Sequence, residues 1–178
     1  MAFWSDTSLD PKRQYKFKIT FGYISQGSDT ASTYLAQSAD RPVYTISDGV
    51  KVDYLDKQFN FPGKITWTPV KIKFVDAVGG ANVSRLSYNY LAQAGWINPQ
   101  RAGPGAEASN MGTINKSSSV RTSSDIKIQV LNSGGSPVDT WTLRNAFITT
   151  VALNNLDYSA EGILTAEYNI RYDWADFS

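Results

Sequence analysis

Apolar and polar residues alternate along several stretches of this chain, and strict alternation predicts half-buried strands. Between Tyr15 and Tyr23, the residues Tyr15, Phe17, Ile19, Phe21 and Tyr23 fall on one side and Lys16, Lys18 and Thr20 on the other. The longest run closes the chain: Leu164, Ala166, Tyr168, Ile170, Tyr172 and Trp174 alternate with Thr165, Glu167, Asn169, Arg171 and Asp173. It predicts one long final strand with a buried face and a wet face. Asp125 to Leu131 alternates in the same way, through Ile126, Ile128 and Val130 against Lys127 and Gln129. The turn-forming stretch Asn132 to Pro137 links it to a strand over Val138 to Leu143, and Phe147 to Leu153 predicts another.

Turn formers divide the remainder. Gly27 to Asp29 reads as a turn, followed by a short return strand over Thr33 to Gln37. Pro42 to Ile46 predicts a strand that ends at Asp48-Gly49, a dipeptide that favours a tight turn, with Val50 to Leu55 as the next strand. Phe61-Pro62-Gly63 breaks the pattern again. Strand resumes over Lys64 to Val75, but its apolar parity changes from Ile65 and Trp67 to Val70, Ile72 and Phe74, with Pro69 at the change. A one-residue shift sends side chains to the opposite face, so a bend or an edge position is expected there.

One helix is expected. Asn82 is its N-cap, Val83, Leu86, Tyr90, Leu91 and Ala94 form its apolar face, and Gly95 ends it. The stretch after it, residues 98–122, is rich in Gly, Pro, Ser, Ala and Asn, and predicts a long surface loop. Many short strands between turn residues, with a helix inserted mid-chain, predict a mainly β fold: a β-sandwich or small barrel with one flanking α-helix. At 178 residues the chain is expected to be a single domain with an N-terminal arm over residues 1–10.

Composition narrows the chemistry. The chain has no cysteine and no histidine, which rules out disulfides, thiolate metal sites and Ser-His-Asp or Cys-His nucleophiles. Asp48, Asp53 and Asp56 match no calcium loop, and only Glu107, Glu161 and Glu167 could supply a catalytic glutamate. Gly79-Gly80 and Gly103 to Gly105 lack the following lysine of a phosphate loop and read as turns. No enzyme activity, cofactor or metal is expected. The net charge of +1 lacks the basic bias of a dedicated nucleic-acid binder. The opening MAFWSDTSLDPKR has no apolar segment of the signal-peptide kind, and no run is long enough to span a membrane, so a soluble intracellular chain is expected. Lys16, Lys18, Lys71, Lys73 and Lys127 stand on polar strand faces, the usual place for solvating charge.

The aromatics are less easily placed. Trp67, Trp141 and Trp174 lie on apolar strand faces and are expected in the core. Phe3 and Trp4 sit in the arm, outside any strand pattern, and are expected to contact a partner. Tyr54, Phe59 and Phe61 belong to a long, charged, turn-rich segment, Ser47 to Gly63, which is the second expected contact element.

Four segments in order resemble the tail tube proteins of contractile-tailed bacteriophages, the family that includes the T-even phage tube subunit. They are DPKRQYKFKITF (Asp10 to Phe21), FPGKITWTPVKIKFVD (Phe61 to Asp76), VDTWTLRNAFITTVALNNLDYSAEG (Val138 to Gly162) and ILTAEYNIRYDWA (Ile163 to Ala175), together about half of the chain. The resemblance implies a tail-tube fold and a structural role. In that family six subunits close a ring and rings stack into a tube. A sheath surrounds the tube, and tape-measure protein and transiting DNA occupy the lumen. The implied setting is the virion, after assembly in the host cytoplasm. A tube initiator, or a tube protein of a contractile injection system, fits the same segments. From a different class, a carbohydrate-binding β-sandwich would use Trp96 and Trp4. Phe3, Trp4, Tyr54, Phe59 and Phe61 are the expected contacts between rings.

Overall fold

The computed structural model describes residues 11–21, 35–78, 82–98, 112–123, 126–159 and 161–178. It contains the strands β1 (Phe17–Phe21), β2 (Ala36–Ala39), β3 (Tyr44–Tyr54), β4 (Lys57–Trp67) and β5 (Val70–Val75), then the helices α1 (Val83–Gln93) and α2 (Lys116–Ser123). The strands β6 (Ile126–Leu131), β7 (Pro137–Arg144), β8 (Phe147–Leu153), β9 (Thr165–Arg171) and β10 (Trp174–Phe177) follow. One four-stranded sheet has the order β1-β6-β7-β10, the other the order β2-β5-β9-β8, and β3 and β4 form a separate two-stranded ribbon. Every pairing is antiparallel. The mainly β class with a flanking helix is as expected.

The alternating residues explain the packing. Ile19 and Phe21 of β1, Ile126 and Ile128 of β6 and Leu143 of β7 are buried, as are Val70, Ile72 and Phe74 of β5 and Ala166, Tyr168 and Ile170 of β9. Side chains on one parity of each strand point inward and close the core between the two sheets. Its centre is aromatic. Phe21 and Phe74 both contact Tyr168 edge-on, with centroids 6.1 and 5.6 Å away. The Tyr168 hydroxyl hydrogen-bonds Ser87 Oγ, which itself donates to the Val83 carbonyl, so it ties the core to α1.

Burial pushes the phenol pKa of Tyr168, and likewise that of Tyr172, from 10 up to about 12. An unfolded tyrosine ionises near pH 10, so the stability held by these neutral phenols is complete below about pH 10. It is lost as pH rises through about 12. For Tyr168 alone the loss amounts to roughly 2–3 kcal/mol. The denaturation midpoint should therefore fall between pH 10 and 12, and Tyr168→Phe should flatten that fall.

Helix α1 begins and ends as the sequence predicts. Asn82 Oδ1 accepts from the Arg85 N–H at 2.7 Å, and Asp76 Oδ1 accepts from Val83 N–H at 2.9 Å. At the other end Gly95 has φ +108°, Gly95 N–H donates to Ala92 O and Trp96 N–H donates to Leu91 O, a Schellman cap.

Three expectations are corrected. The predicted turn at Asp48-Gly49 is absorbed within β3, so the two short strands expected over Pro42 to Ile46 and Val50 to Leu55 are one strand, and the break expected at Phe61-Pro62-Gly63 lies inside its partner β4. Helix α2 lies within the segment expected as loop, where Asn115 Oδ1 accepts from the Ser118 N–H at 2.8 Å. Its residues Lys116–Ser123 carry little apolar signal, which is why periodicity missed it; residues 99–111 of that loop lie outside the described residues.

The closing strand is the third correction, because it is two strands in different sheets. β9 pairs with β5 and β8, whereas β10 pairs with β7 across the sandwich. The corner falls at Tyr172-Asp173. Asp173 N–H donates to Arg144 O, and the Asp173 carboxylate accepts from Lys116 Nζ at 2.7 Å and Asn145 Nδ2 at 2.8 Å. These donors hold its pKa below the usual carboxylate value. Trp174, just past the corner, is 45% exposed and is not a core residue, unlike Trp67 and Trp141, which pack against the core.

Candidate functional site

Strands β3 and β4 form a ribbon of eleven residues per strand, about 35 Å long at the usual rise of a β-strand. Tyr44 pairs with Trp67 at its base, and Tyr54 pairs with Lys57 at its tip. At the base, Trp67 contacts Tyr44 and Tyr172, with centroids 5.3 and 5.9 Å away. Beyond Trp67, every residue of both strands is exposed.

The ribbon nevertheless has an apolar side. Tyr44, Ile46, Val50, Val52 and Tyr54 share one parity in β3, and Phe59, Phe61, Ile65 and Trp67 share the matching parity in β4. Register joins them across the strands: Ile46 opposes Ile65 and Val52 opposes Phe59. The other parity carries polar pairs, with Lys51 opposite Asn60, Asp53 opposite Gln58 and Thr45 opposite Thr66. Gln58 Nε2 donates to Asp53 Oδ1 at 3.0 Å, so Asp53 serves the polar face. Tyr54, Phe59 and Phe61 are 68%, 50% and 56% exposed. An apolar face on the order of several hundred Å² that the described residues leave exposed marks an interaction surface on a folded protein. A lone two-stranded ribbon is marginally stable in water, so this one needs cover.

Register shifts at Asp48 kink the ribbon midway, where Asp48 opposes Pro62. Gly49 and Gly63 are required by this kink. A Cβ on Gly49 would stand 2.2 Å from the Phe61 carbonyl oxygen, and one on Gly63 would stand 2.8 Å from the Ser47 carbonyl oxygen. Both obstacles are backbone, so the strands would have to part. Gly49→Val should leave the thermal unfolding of the body unchanged within about 1 kcal/mol while disordering the ribbon, visible as loss of its amide protection in hydrogen exchange. The actual turn is Leu55-Asp56, with Leu55 at φ +55° and 88% exposed. A branched apolar residue in the left-handed region is strained, and such strain is held where function requires it.

A second apolar surface lies at the other end of the β2-β5-β9-β8 sheet. The ribbon leaves this sheet where Val70 pairs with Ile170; Val75 pairs with Thr165 at the far end. There Leu153, Leu156, Tyr158, Ile163, Leu164 and Val78 are all exposed, Tyr158 and Val78 fully so. Asp76 N–H donates to Leu164 O and Asn154 N–H donates to Thr165 O, which fix the base of this loop. Asp157 Oδ1 accepts from both the amide and the hydroxyl of Ser159, which holds its carboxyl below the usual pKa.

On one side of the sandwich, a cleft of about 1210 Å³ separates the edges β1 and β2. Phe17, Ile128 and Val130 line it, with Lys12, Lys16 and Arg41 among its polar residues. Lys12 is bound to the buried Asp139 at 2.6 Å. On the opposite side, Ile148 N–H of β8 donates to the Tyr90 hydroxyl of α1, so the helix covers that edge.

Of the expected contact residues, Tyr54, Phe59 and Phe61 come together on the ribbon, while Phe3 and Trp4 lie outside the described residues. Ile46, Val52 and Ile65 belong with them and were not singled out, because Asp48-Gly49 and Pro62-Gly63 interrupt the alternation that would have joined them. Trp96 packs edge-on against Tyr88 at 6.4 Å, half-buried behind the end of α1; Trp4, its suggested partner in a glycan platform, lies outside the described residues. Among the described residues, no group of three or more Asp or Glu side chains is placed to hold a metal ion, and no helix is long and apolar enough to cross a membrane.

No family model matches the chain, and no curated protein matches it. Solved structures do. A chain of the anti-feeding prophage tube-terminating cap superposes with a TM-score of 0.66 at 17% identity, covering 100% of this chain and 99% of that one. A chain of the sheath–tube complex of the PVC extracellular contractile injection system, in its extended state, gives a TM-score of 0.63 at 17% identity, covering 97% of each chain. A chain of the PVC sheath/tube terminator gives 0.61 at 18% identity, over 96% of this chain and 98% of that one. The shared fold runs over nearly the whole chain: this protein has the tail-tube fold, the fold of chains in the tube-bearing assemblies of contractile injection systems.

Proposed function

We propose that this chain is a structural tube subunit of a contractile tail or injection device, acting as one domain of 178 residues. The observation that carries the reading is the ribbon β3–β4, whose apolar face is exposed among the described residues. The tail-tube fold supplies the context for it. Head-to-tail contact around an axis closes a ring; contact along the axis does not close and produces a filament. The cleft between β1 and β2, the end strands of their sheets among the described residues, suits the first kind of contact. The ribbon suits the second, with Tyr54, Phe59 and Phe61 meeting the next ring and Phe3 and Trp4 of the arm adding to it.

In this reading the rings are hexameric and the tube carries a sheath outside and cargo within. In a phage virion that cargo is tape-measure protein and then DNA. The near-neutral net charge suits a conduit, because DNA affinity rises steeply with each phosphate contact. The chain performs no catalysis. A tube-ending subunit shares the same contacts on one face only, and copy number in the particle separates it from the main subunit.

Purified protein should elute as a ring-sized species by light scattering and show rings and hollow stacks by negative-stain microscopy. A protein that stays monomeric up to high concentration, in low and high salt, would refute the reading.

A further inference from the structure

The ribbon and the apolar surface of residues 153–164 stand at opposite ends of one sheet, separated by the six residues of β5, or about 20 Å. Both are exposed among the described residues. We infer that the loop between β8 and β9, with Leu156 and Tyr158 at its centre, is the surface on a second copy of this chain that receives the apolar face of the ribbon.

Three features favour a second copy as occupant. The two surfaces face opposite ends of the subunit, so their union is heterologous and repeats without closing, as a stack requires. Both are apolar, and contiguous exposed apolar surface of this kind marks contacts with other proteins. Their charges also match: the loop carries Asp157 and Glu161 without a lysine or arginine, while Lys57 stands beside Tyr54 on the apolar side of the ribbon tip. The Ser159 hydrogen bonds keep Asp157 in the form that Lys57 would meet.

This inference rests on the tube reading, and the test separates the two. The chain has no cysteine, so a pair introduced as Phe59→Cys and Tyr158→Cys reports only on itself. Under mild oxidation the double variant should run as a ladder of disulfide-linked multimers, and each single variant should not. In parallel, Tyr158→Glu with Leu156→Glu should form rings that fail to stack. Mixed with a ribbon variant, Phe59→Glu, it should yield paired rings and nothing longer, since only one junction survives. Stacks that form normally from the loop variant, with no ladder from the cysteine pair, would overturn the inference and leave the tube reading standing. A wild-type chain that forms neither rings nor stacks would overturn both.

Discussion

Replacing Phe59 and Phe61 with glutamate is expected to abolish stacking while leaving the subunit folded. Both side chains are at least half exposed, so the folded monomer loses little packing when they change. In an assembled tube the same positions would lie within an apolar contact, where two carboxylates would be buried without partners. Aromatic anchors at the centre of an interface commonly cost 2 kcal/mol or more each when lost. The protein concentration needed for stacking should therefore rise about 1,000-fold. Sedimentation would measure this, with circular dichroism and the thermal midpoint as controls for folding. A double variant that stacks at the wild-type concentration would remove the ribbon from the interface.

The second large effect lies in the core. Tyr168→Ala is expected to cost about 3–5 kcal/mol by denaturant titration, the range for removing a buried aromatic ring. Tyr168 is fully buried between Phe21 and Phe74, so little can relax into the space. The change also removes the hydroxyl that bonds Ser87 Oγ, and so loosens α1 from β9. Tyr168→Phe isolates that part and should cost roughly 1–2 kcal/mol, since Ser87 Oγ still donates to the Val83 carbonyl. A loss below 1 kcal/mol for Tyr168→Ala would mean that the two sheets do not close on this residue.

The sandwich was legible in the sequence because its strands are half-buried, and half-burial writes itself as alternation. Ile19 and Phe21, Ile72 and Phe74, and Tyr168 and Ile170 all follow it. The caps of α1 were legible for a local reason, since Asn82 and Gly95 act through backbone groups nearby.

What was hidden depends on partners distant in sequence. Asp48-Gly49 is a strong local turn signal, yet the turn lies at Leu55-Asp56, and Gly49 is needed because the Phe61 carbonyl comes close across the ribbon. The corner at Tyr172-Asp173 was hidden because the alternation in the sequence runs on to Trp174, whereas the buried parity switches there: Tyr172 is buried, Trp174 is exposed and Ala175 packs against the core. Asp173 is held at the corner by Lys116 and Asn145 from other elements. The candidate site was half legible. Tyr54, Phe59 and Phe61 stood out as aromatics in a charged segment, but the face uniting them with Ile46, Val52 and Ile65 exists only once the register is known.

The central claim is that the ribbon β3–β4 is a contact between stacked subunits. Electron cryo-microscopy of the assembled protein tests it most directly. The account predicts a hollow tube of stacked rings in which each ribbon crosses to the adjacent ring and buries Val52, Tyr54, Phe59 and Phe61 there. A tube whose ribbons project into solvent or into the lumen, with those four side chains uncovered, would contradict it.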